Sequence, residues 1–327
     1  MKCCTRTKTA VLAVALGALL AAAALFSLGA GASGLSLQEA FLQDGAARRI
    51  LLHIRLPRIA AAVLCGAALA TSGTLIQGVL GNPLAGPNII GVNAGAGFMT
   101  LLAGWLFPMQ AGLLPFSAFL GAFLTSLLIL VIVQRTNASR LTVVLAGVAV
   151  SAILSAGTDL ITNIAPEVTL GLTAFRIGGF GGVSGPRVYG AAAYILPGIV
   201  VAMLMARRLD VLTLGDETAQ SVGLKVRSTR TALLLLASLL AGAAVSFSGL
   251  VGFVGLISPH MVRRIAGGEH KRLLPLSMLT GALMVLVCDT IARTAFAPYE
   301  LPVGILLSLI GGPFFLLLLL KGGRRDD

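Results

Sequence analysis

The chain has 327 residues, of which 57% are hydrophobic and only 11% charged, and its mean hydropathy is +0.97. A soluble domain carries about 25% charged residues, so this chain cannot cover a water-facing surface, and the medium it is built for is the lipid bilayer. The net charge of +12 sits in short gaps between apolar runs, where it reads as membrane topology and excludes a folded nucleic-acid surface.

The first apolar run, 10–30, follows Lys2, Arg6 and Lys8 and ends before Gly31, Ala32 and Ser33. That pattern resembles a secretory signal, but the run is about 20 residues, longer than the usual signal core, and a retained first span is expected. Nine further runs follow at 57–80, 89–107, 112–134, 141–163, 188–206, 229–248, 250–266, 273–297 and 301–320. The longest gaps, 31–56, 165–187 and 207–228, are too short for a soluble catalytic domain. Residues 1–327 therefore read as one all-α domain of about ten transmembrane helices in the cell membrane. With the N-terminus inside, seventeen of the 24 Lys and Arg fall on the inner side and seven on the outer, which sets both termini in the cytoplasm. The seven outer arginines, Arg48, Arg49, Arg55, Arg58, Arg176, Arg187 and Arg293, run against the sorting rule. They serve either as interface anchors or as a docking surface for an acidic partner.

In the second span Gly66, Ala70, Thr74 and Gly78 recur every four residues, a stripe along which another helix can approach. Gly249, Gly252 and Gly255 are expected to do the same at a spacing of three. Asp289 would cost about 2.5–3.5 kcal/mol alone at the membrane centre. Arg293, four residues on, is its expected partner. Asp159 lies near the outer end of the fifth span, within reach of water. The segment 209–226 differs from its surroundings: it carries Asp210, Asp216, Glu217 and Lys225 among Leu and Val, punctuated by Gly215 and Gly223. It is expected to form two short amphipathic helices on the cytoplasmic side, with Asp216 and Glu217 at a helix start. They either rest on lipid or dock a partner.

No enzyme signature is present. The cysteines Cys3, Cys4, Cys65 and Cys288 make no C-x-x-C pair, and His53, His260 and His270 are scattered. Without a Gly-Lys pair there is no phosphate loop, so any use of ATP needs a separate subunit. No catalytic residue, metal or cofactor is expected.

Several blocks, in order, are similar to those of the FecCD family of ABC importer permeases. They are Arg55-Leu56-Pro57-Arg58, Asn82-Pro83-Leu84-Ala85, the glycine-rich stretch 178–182, Leu214-Gly215 with Val222-Gly223-Leu224, Pro259-His260, Ala292-Arg293, and Glu300 to Gly304. The resemblance covers nearly the whole chain and implies a type II importer permease fold. It further implies a homodimer with the pathway between subunits, two ATPase subunits below and one substrate-binding protein above. It assigns Arg55, Arg58 and Arg293 to grip acidic residues of the binding protein. It assigns Leu214, Gly215, Asp216, Glu217, Val222, Gly223 and Leu224 to coupling with the ATPase, and Ala138 and Ser139 to the cytoplasmic gate. Arg176 stands where the family often has an aromatic residue, which makes it a candidate contact for an anionic substrate. The implied cargo is a ferric siderophore, with haem or cobalamin as alternatives. An ion-coupled secondary transporter is the rival class, and the absence of an inward acidic cluster argues against it.

Overall fold

The computed structural model describes residues 6–30, 45–110, 112–135, 140–296 and 299–322, and among them every regular element is helical. The chain opens with α1 (Arg6–Gly29), then α2 (Ala46–Ile50). A π turn, Leu51–Arg55, joins α2 without a break to α3 (Leu56–Leu80), so one continuous helix covers 34 residues. At 1.5 Å per residue it is about 50 Å long, more than the roughly 30 Å of the hydrocarbon layer, and its Arg48 end projects beyond the bundle. It stops at Gly81, which takes a left-handed φ of 61°, while the Asn82 N–H returns to the Gln77 carbonyl.

A 3-10 turn, Pro87–Ile90, leads into α4 (Val92–Leu106), followed by α5 (Leu113–Arg135) and α6 (Arg140–Ile164). Next come α7 (Pro166–Ile177) and α8 (Gly185–Leu204), then α9 (Ala206–Thr213) and α10 (Asp216–Ser221). The remainder is α11 (Val226–Ser248), α12 (Val254–Ala266), α13 (His270–Thr294) and α14 (Val303–Gly322). Among the described residues seven helices are long and apolar enough to cross a membrane alone. With α4, α14 and the thirteen-residue α12 they make up the ten spans read from the sequence. Two elements lay hidden in the gaps: α2, which extends the second span, and α7, a polar-flanked helix opened by Pro166 and Glu167.

Burial separates centre from periphery. Of the most apolar stretch in the 47–80 helix, 83% is buried, against 67% in α11 and 56% in α13. The corresponding stretches of α1 and α6 are 6% and 17% buried, so these helices meet lipid or other protein. The central helices approach through missing side chains. A Cβ at Gly66 of α3 would lie 2.2 Å from the Gly281 carbonyl oxygen of α13, and one at Gly73 would lie 1.8 Å from that of Gly255 in α12. The expected stripe Gly66, Ala70, Thr74, Gly78 is thus a packing face. The second stripe is not: Gly249 caps α11 at φ 71° and Gly252 lies in the following loop, leaving only Gly255 on a helix face.

That loop explains why α12 is short. Within the bundle two non-helical stretches, 178–184 and 249–253, pair their backbone with that of the adjoining helices. Gly179 N–H donates to Ser248 O at 2.8 Å, Leu250 N–H to Phe175 O at 3.0 Å, and Gly304 N–H to Gly178 O at 3.1 Å. Broken backbone survives at membrane depth when protein supplies its hydrogen bonds. Phe253 is the sole non-glycine residue with positive φ among the described residues, at 64°, and its ring fills the space left by the missing side chain of Gly311.

The ends of the bundle can be told apart by contacts. The last turn of α1, the start of α3 and the last turn of α13 meet at one end. The start of α1 packs on Val262, Ala266, Leu273 and Leu276 at the other, where α3 ends against Leu209 and His270. The α9–α10 hairpin and the described N-terminal end of α1 therefore share one side, opposite Arg55.

Replacing Gly66 by Leu forces a side chain into the α13 backbone. Overpacking of this kind costs about 1–3 kcal/mol, and the detergent-solubilised variant is expected to melt at a clearly lower temperature. Gly17→Ala, where nothing lies within 4 Å, serves as the control and should melt as the unmodified protein does.

Candidate functional site

At the Arg55 end, charges are gathered inside protein. Arg58, on the first turn of α3, turns toward Asp289 on α13. Its Nε donates to both carboxylate oxygens at 3.2 and 3.0 Å, and Nη2 donates to Oδ1 at 2.9 Å. Nη1 donates to Glu300 Oε2 at 2.7 Å. Asp289 is 1% exposed and Arg58 8%. This edge-on, two-oxygen geometry is the strong form of a guanidinium–carboxylate contact. The expected pairing of Asp289 with Arg293 is the weaker half of the arrangement, because Arg293 Nε stands 4.0 Å from Oδ2. The Arg293 guanidinium is drawn instead to Ser27, donating to its carbonyl and hydroxyl oxygens.

Ser27, Leu28 and Gly29 form the last turn of α1, where helix carbonyls lack internal donors. Arg55 Nη1 donates to the carbonyls of Leu28 and Gly29. Two arginines thus cap one helix end, where the helix dipole also favours positive charge. Three cations and two carboxylates leave the cluster with a surplus of one positive charge. The three arginines assigned to docking come together, but all are buried, and their guanidinium groups hold internal partners. The exposed arginines at this end are Arg48, Arg49 and Arg187, with Glu300 at the mouth of the cluster. A cleft of about 420 Å³ opens there, with Arg58, Arg187 and Glu300 in its wall beside Phe175 and the glycines of 179–182. Arg176 is exposed on the last turn of α7.

At the opposite end the segment 209–226 folds as the two short helices expected. Gly215 and Gly223, at φ 104° and 83°, make the turns that other residues would strain. Ala206, Leu209 and Leu212 of α9 are buried against the bundle, and Ala219 anchors α10. Leu214 and Val222 point away and are 64% and 65% exposed. Asp216 and Glu217 occupy the first turn of α10, and Asp216 accepts from Arg230 of α11 at 2.7 and 2.9 Å. The hairpin is therefore fastened to the bundle on one side and presents Leu214 and Val222 among polar side chains on the other. Ala138 and Ser139, expected at the cytoplasmic gate, lie outside the described residues.

Two contacts escaped sequence reasoning. Asp210 accepts from the backbone N–H and the ring Nδ1 of His270 at 2.8 and 2.6 Å. Arg263 donates to Gln77 Oε1 at 3.1 Å. In each case the partners are 60 or more positions apart, so no local spacing signals them; the one hint was an acid, Asp210, in a stretch otherwise rich in arginine. Among the described residues no three His, Cys, Asp or Glu side chains gather as a metal site would require.

An apolar bundle with broken inner helices, a buried charged cluster at one end and an amphipathic hairpin at the other are the parts of a membrane permease subunit. The chain belongs to the FecCD transport family, which it matches over residues 8–321. It is 40% identical over 316 residues to the hemin transport system permease protein HmuU of Yersinia pestis, covering 93% of each chain. It is 39% identical over 273 residues to the Fe(3+) dicitrate transport system permease protein FecD of Escherichia coli, covering 83% of this chain and 85% of the other. The iron(3+)-hydroxamate import system permease protein FhuG of Bacillus subtilis is 34% identical over 298 residues, covering 86% and 88%. Among solved structures, an inward-facing metal-chelate type ABC transporter matches with a TM-score of 0.84 and 32% identity, over 94% of this chain and 98% of that one. A chain of PsaBC from Streptococcus pneumoniae, at 16% identity and a TM-score of 0.58, shares the fold alone. The protein is an ABC importer permease with the type II fold, and it is a transport subunit, not itself an enzyme.

The Arg58–Asp289 pair makes a sharp thermodynamic prediction. Removing one partner of a buried ion pair costs about 3–5 kcal/mol because a charge is stranded, whereas replacing both by apolar groups is far milder. Asp289→Ala is therefore expected to lower the melting temperature strongly, and Arg58→Met combined with Asp289→Leu to recover most of the loss.

Proposed function

We propose that this permease forms a homodimer that carries an iron chelate of the siderophore type inward across the cell membrane between its two copies. The observation that carries this reading is the outer face of α6. This helix is among the least buried, yet Ser155, Asp159 and Asn163 are exposed along it, at spacings of four, beside the small residues Ala152 and Ala156. Lipid does not solvate such groups, and ionisable side chains within spans face protein or a water-filled route. A second copy packed against α6 supplies both. The names of the relatives, which cover ferric citrate, ferric hydroxamate and haemin permeases, support an iron-bearing cargo. Haemin is the second reading, favoured by the 40% identity to a haemin permease over nearly the full length of both chains.

A Ser155→Cys variant in a background without the native cysteines is expected to cross-link two copies on mild oxidation. Proteoliposomes containing the permease, its ATPase and its binding protein are expected to accumulate ferric citrate or a ferric hydroxamate only with ATP and both partners. Uptake of haemin in preference to either supports the second reading. Uptake driven by an ion gradient in the permease alone overturns the proposal.

The two ends take different partners in this reading. The projecting Arg48 and Arg49, together with Arg187, meet acidic residues of a substrate-binding protein on the outer side, and Arg55, Arg58 and Arg293 hold the platform beneath them. The hairpin tip, Leu214 and Val222 with the Gly215 and Gly223 turns, enters a cleft on each of two ATPase subunits on the cytoplasmic side. The bias of Lys and Arg supports this orientation and cytoplasmic termini. Replacing both Leu214 and Val222 by Asp is expected to abolish co-purification of the ATPase while leaving the melting temperature nearly unchanged, since both side chains are exposed.

A further inference from the structure

We propose that Asp210 and His270 form the joint that passes movement of the α9–α10 hairpin into α13, and through α13 to the charged cluster at the opposite end. The inference rests on the reading of the hairpin as the ATPase-docking element. It begins with a missing cap. Glu269 precedes α13 but its side chain caps none of the helix's backbone N–H groups, pairing instead with Arg272 at 3.0 Å, and the first N–H groups of a helix need acceptors. The acceptor comes from another element: Asp210 Oδ1 takes the His270 N–H at 2.8 Å and the His270 ring Nδ1 at 2.6 Å. A carboxylate also matches the positive end of the helix dipole. One oxygen of α9 therefore holds both the backbone and the side chain of the first residue of α13.

The His270 ring is enclosed. It is 4% exposed, and its Nε2 is buried without a hydrogen-bond partner. A carboxylate accepts, so Nδ1 is the donor in the contact with Asp210. Gly78, two residues before the end of α3, makes the space. A Cβ there would come within 2.8 Å of His270 Nε2 and 2.7 Å of Leu209 Cδ1. Helices α3, α9 and α13 thus converge on one imidazole with no slack between them. Beyond the joint, α9 leads directly to the exposed tip at Leu214. At its far end α13 carries Asp289 and Arg293, which engage Arg58 and Ser27. A rigid 25-residue helix is tied by its first residue to the docking hairpin and by its last turns to the outer cluster. Displacement of the hairpin has a direct path to that cluster.

The test uses the complete importer in proteoliposomes with a reporter thiol, Thr294→Cys, at the exposed far end of α13, in a background without the native cysteines. The labelling rate by a membrane-impermeant maleimide is compared before and after vanadate trapping of the ATPase. With the joint intact, trapping is expected to change the rate about fivefold or more, the range of ordinary coupling between sites. Asp210→Ala and His270→Ala are expected to bring that ratio close to one while the ATPase stays bound. Their combination should be no worse than Asp210→Ala alone. Asp210→Asn, which keeps an oxygen that accepts both hydrogen bonds, is expected to restore the response. A helix cap with only a structural role would lower the melting temperature of the alanine variants and leave the ratio unchanged, and that result overturns the proposal. Loss of bound ATPase in both alanine variants also overturns it, because the pair would then shape the docking surface itself. The docking reading is checked separately: an ATPase that still binds the Leu214→Asp, Val222→Asp variant removes that reading whatever the joint variants do.

Discussion

Arg58 reaches Asp289 across the interface of α3 and α13, and the rest of the outer end is arranged around that contact. It exists because the two backbones come within touching distance at Gly66 and Gly281, which brings the start of one helix level with the end of the other. A carboxylate this deep in an apolar bundle is tolerable only with a cation locked against it. Once Arg58 is committed, Glu300 is drawn in by its remaining nitrogen, and Arg293 is released toward the end of α1. Helix α1, which otherwise packs lightly against the bundle, is held at one end by arginine donors to its last carbonyls and at the other by a small apolar cluster with α12 and α13. Charge does here what side-chain burial does in a soluble core: it fixes which helices lie side by side and at what height.

The interior obeys the same rule of satisfied polarity by different means. Where the helices break, at 178–184 and 249–253, backbone groups pair with the backbone of adjoining helices, and the Ser248 hydroxyl adds a bond to the Gly249 carbonyl. This leaves two flexible-looking glycine stretches as a rigid seam joining α7, α8, α11, α12 and α14. The seam lines the cleft beside Arg58, so its geometry shapes the end of the molecule that faces the binding protein in our reading.

Much of the architecture was legible in the sequence because hydropathy marks spans directly in a lipid-soluble chain. The ten spans, the small-residue face at Gly66 to Gly78 and the amphipathic hairpin all follow from local pattern. What was not legible depends on register between distant helices. Asp289 has an arginine four residues on, which local spacing favours, yet its true partner is 231 positions away, because the α3–α13 approach is set by glycines in two different spans. The same holds for Asp210 and His270. The stripe at Gly249 and Gly252 misled for another reason: a glycine spacing of three suits a helix face, but positive φ at Gly249 ends the helix there. Helix α7 was missed because its polar ends make twelve residues look like a connecting loop.

The uninterrupted helix from Ala47 to Leu80 is clamped over most of its length. Arg58 is locked to Asp289 and Arg55 to the end of α1, so only residues 47–54 lie beyond those clamps. That stretch is about 12 Å long, and a tilt of about 5° moves its tip by only about 1 Å. Arg48 and Arg49 therefore travel with the cluster beneath them, as a stiff handle does. A protein resting on those arginines would register displacement of the whole outer end, not the bending of one helix.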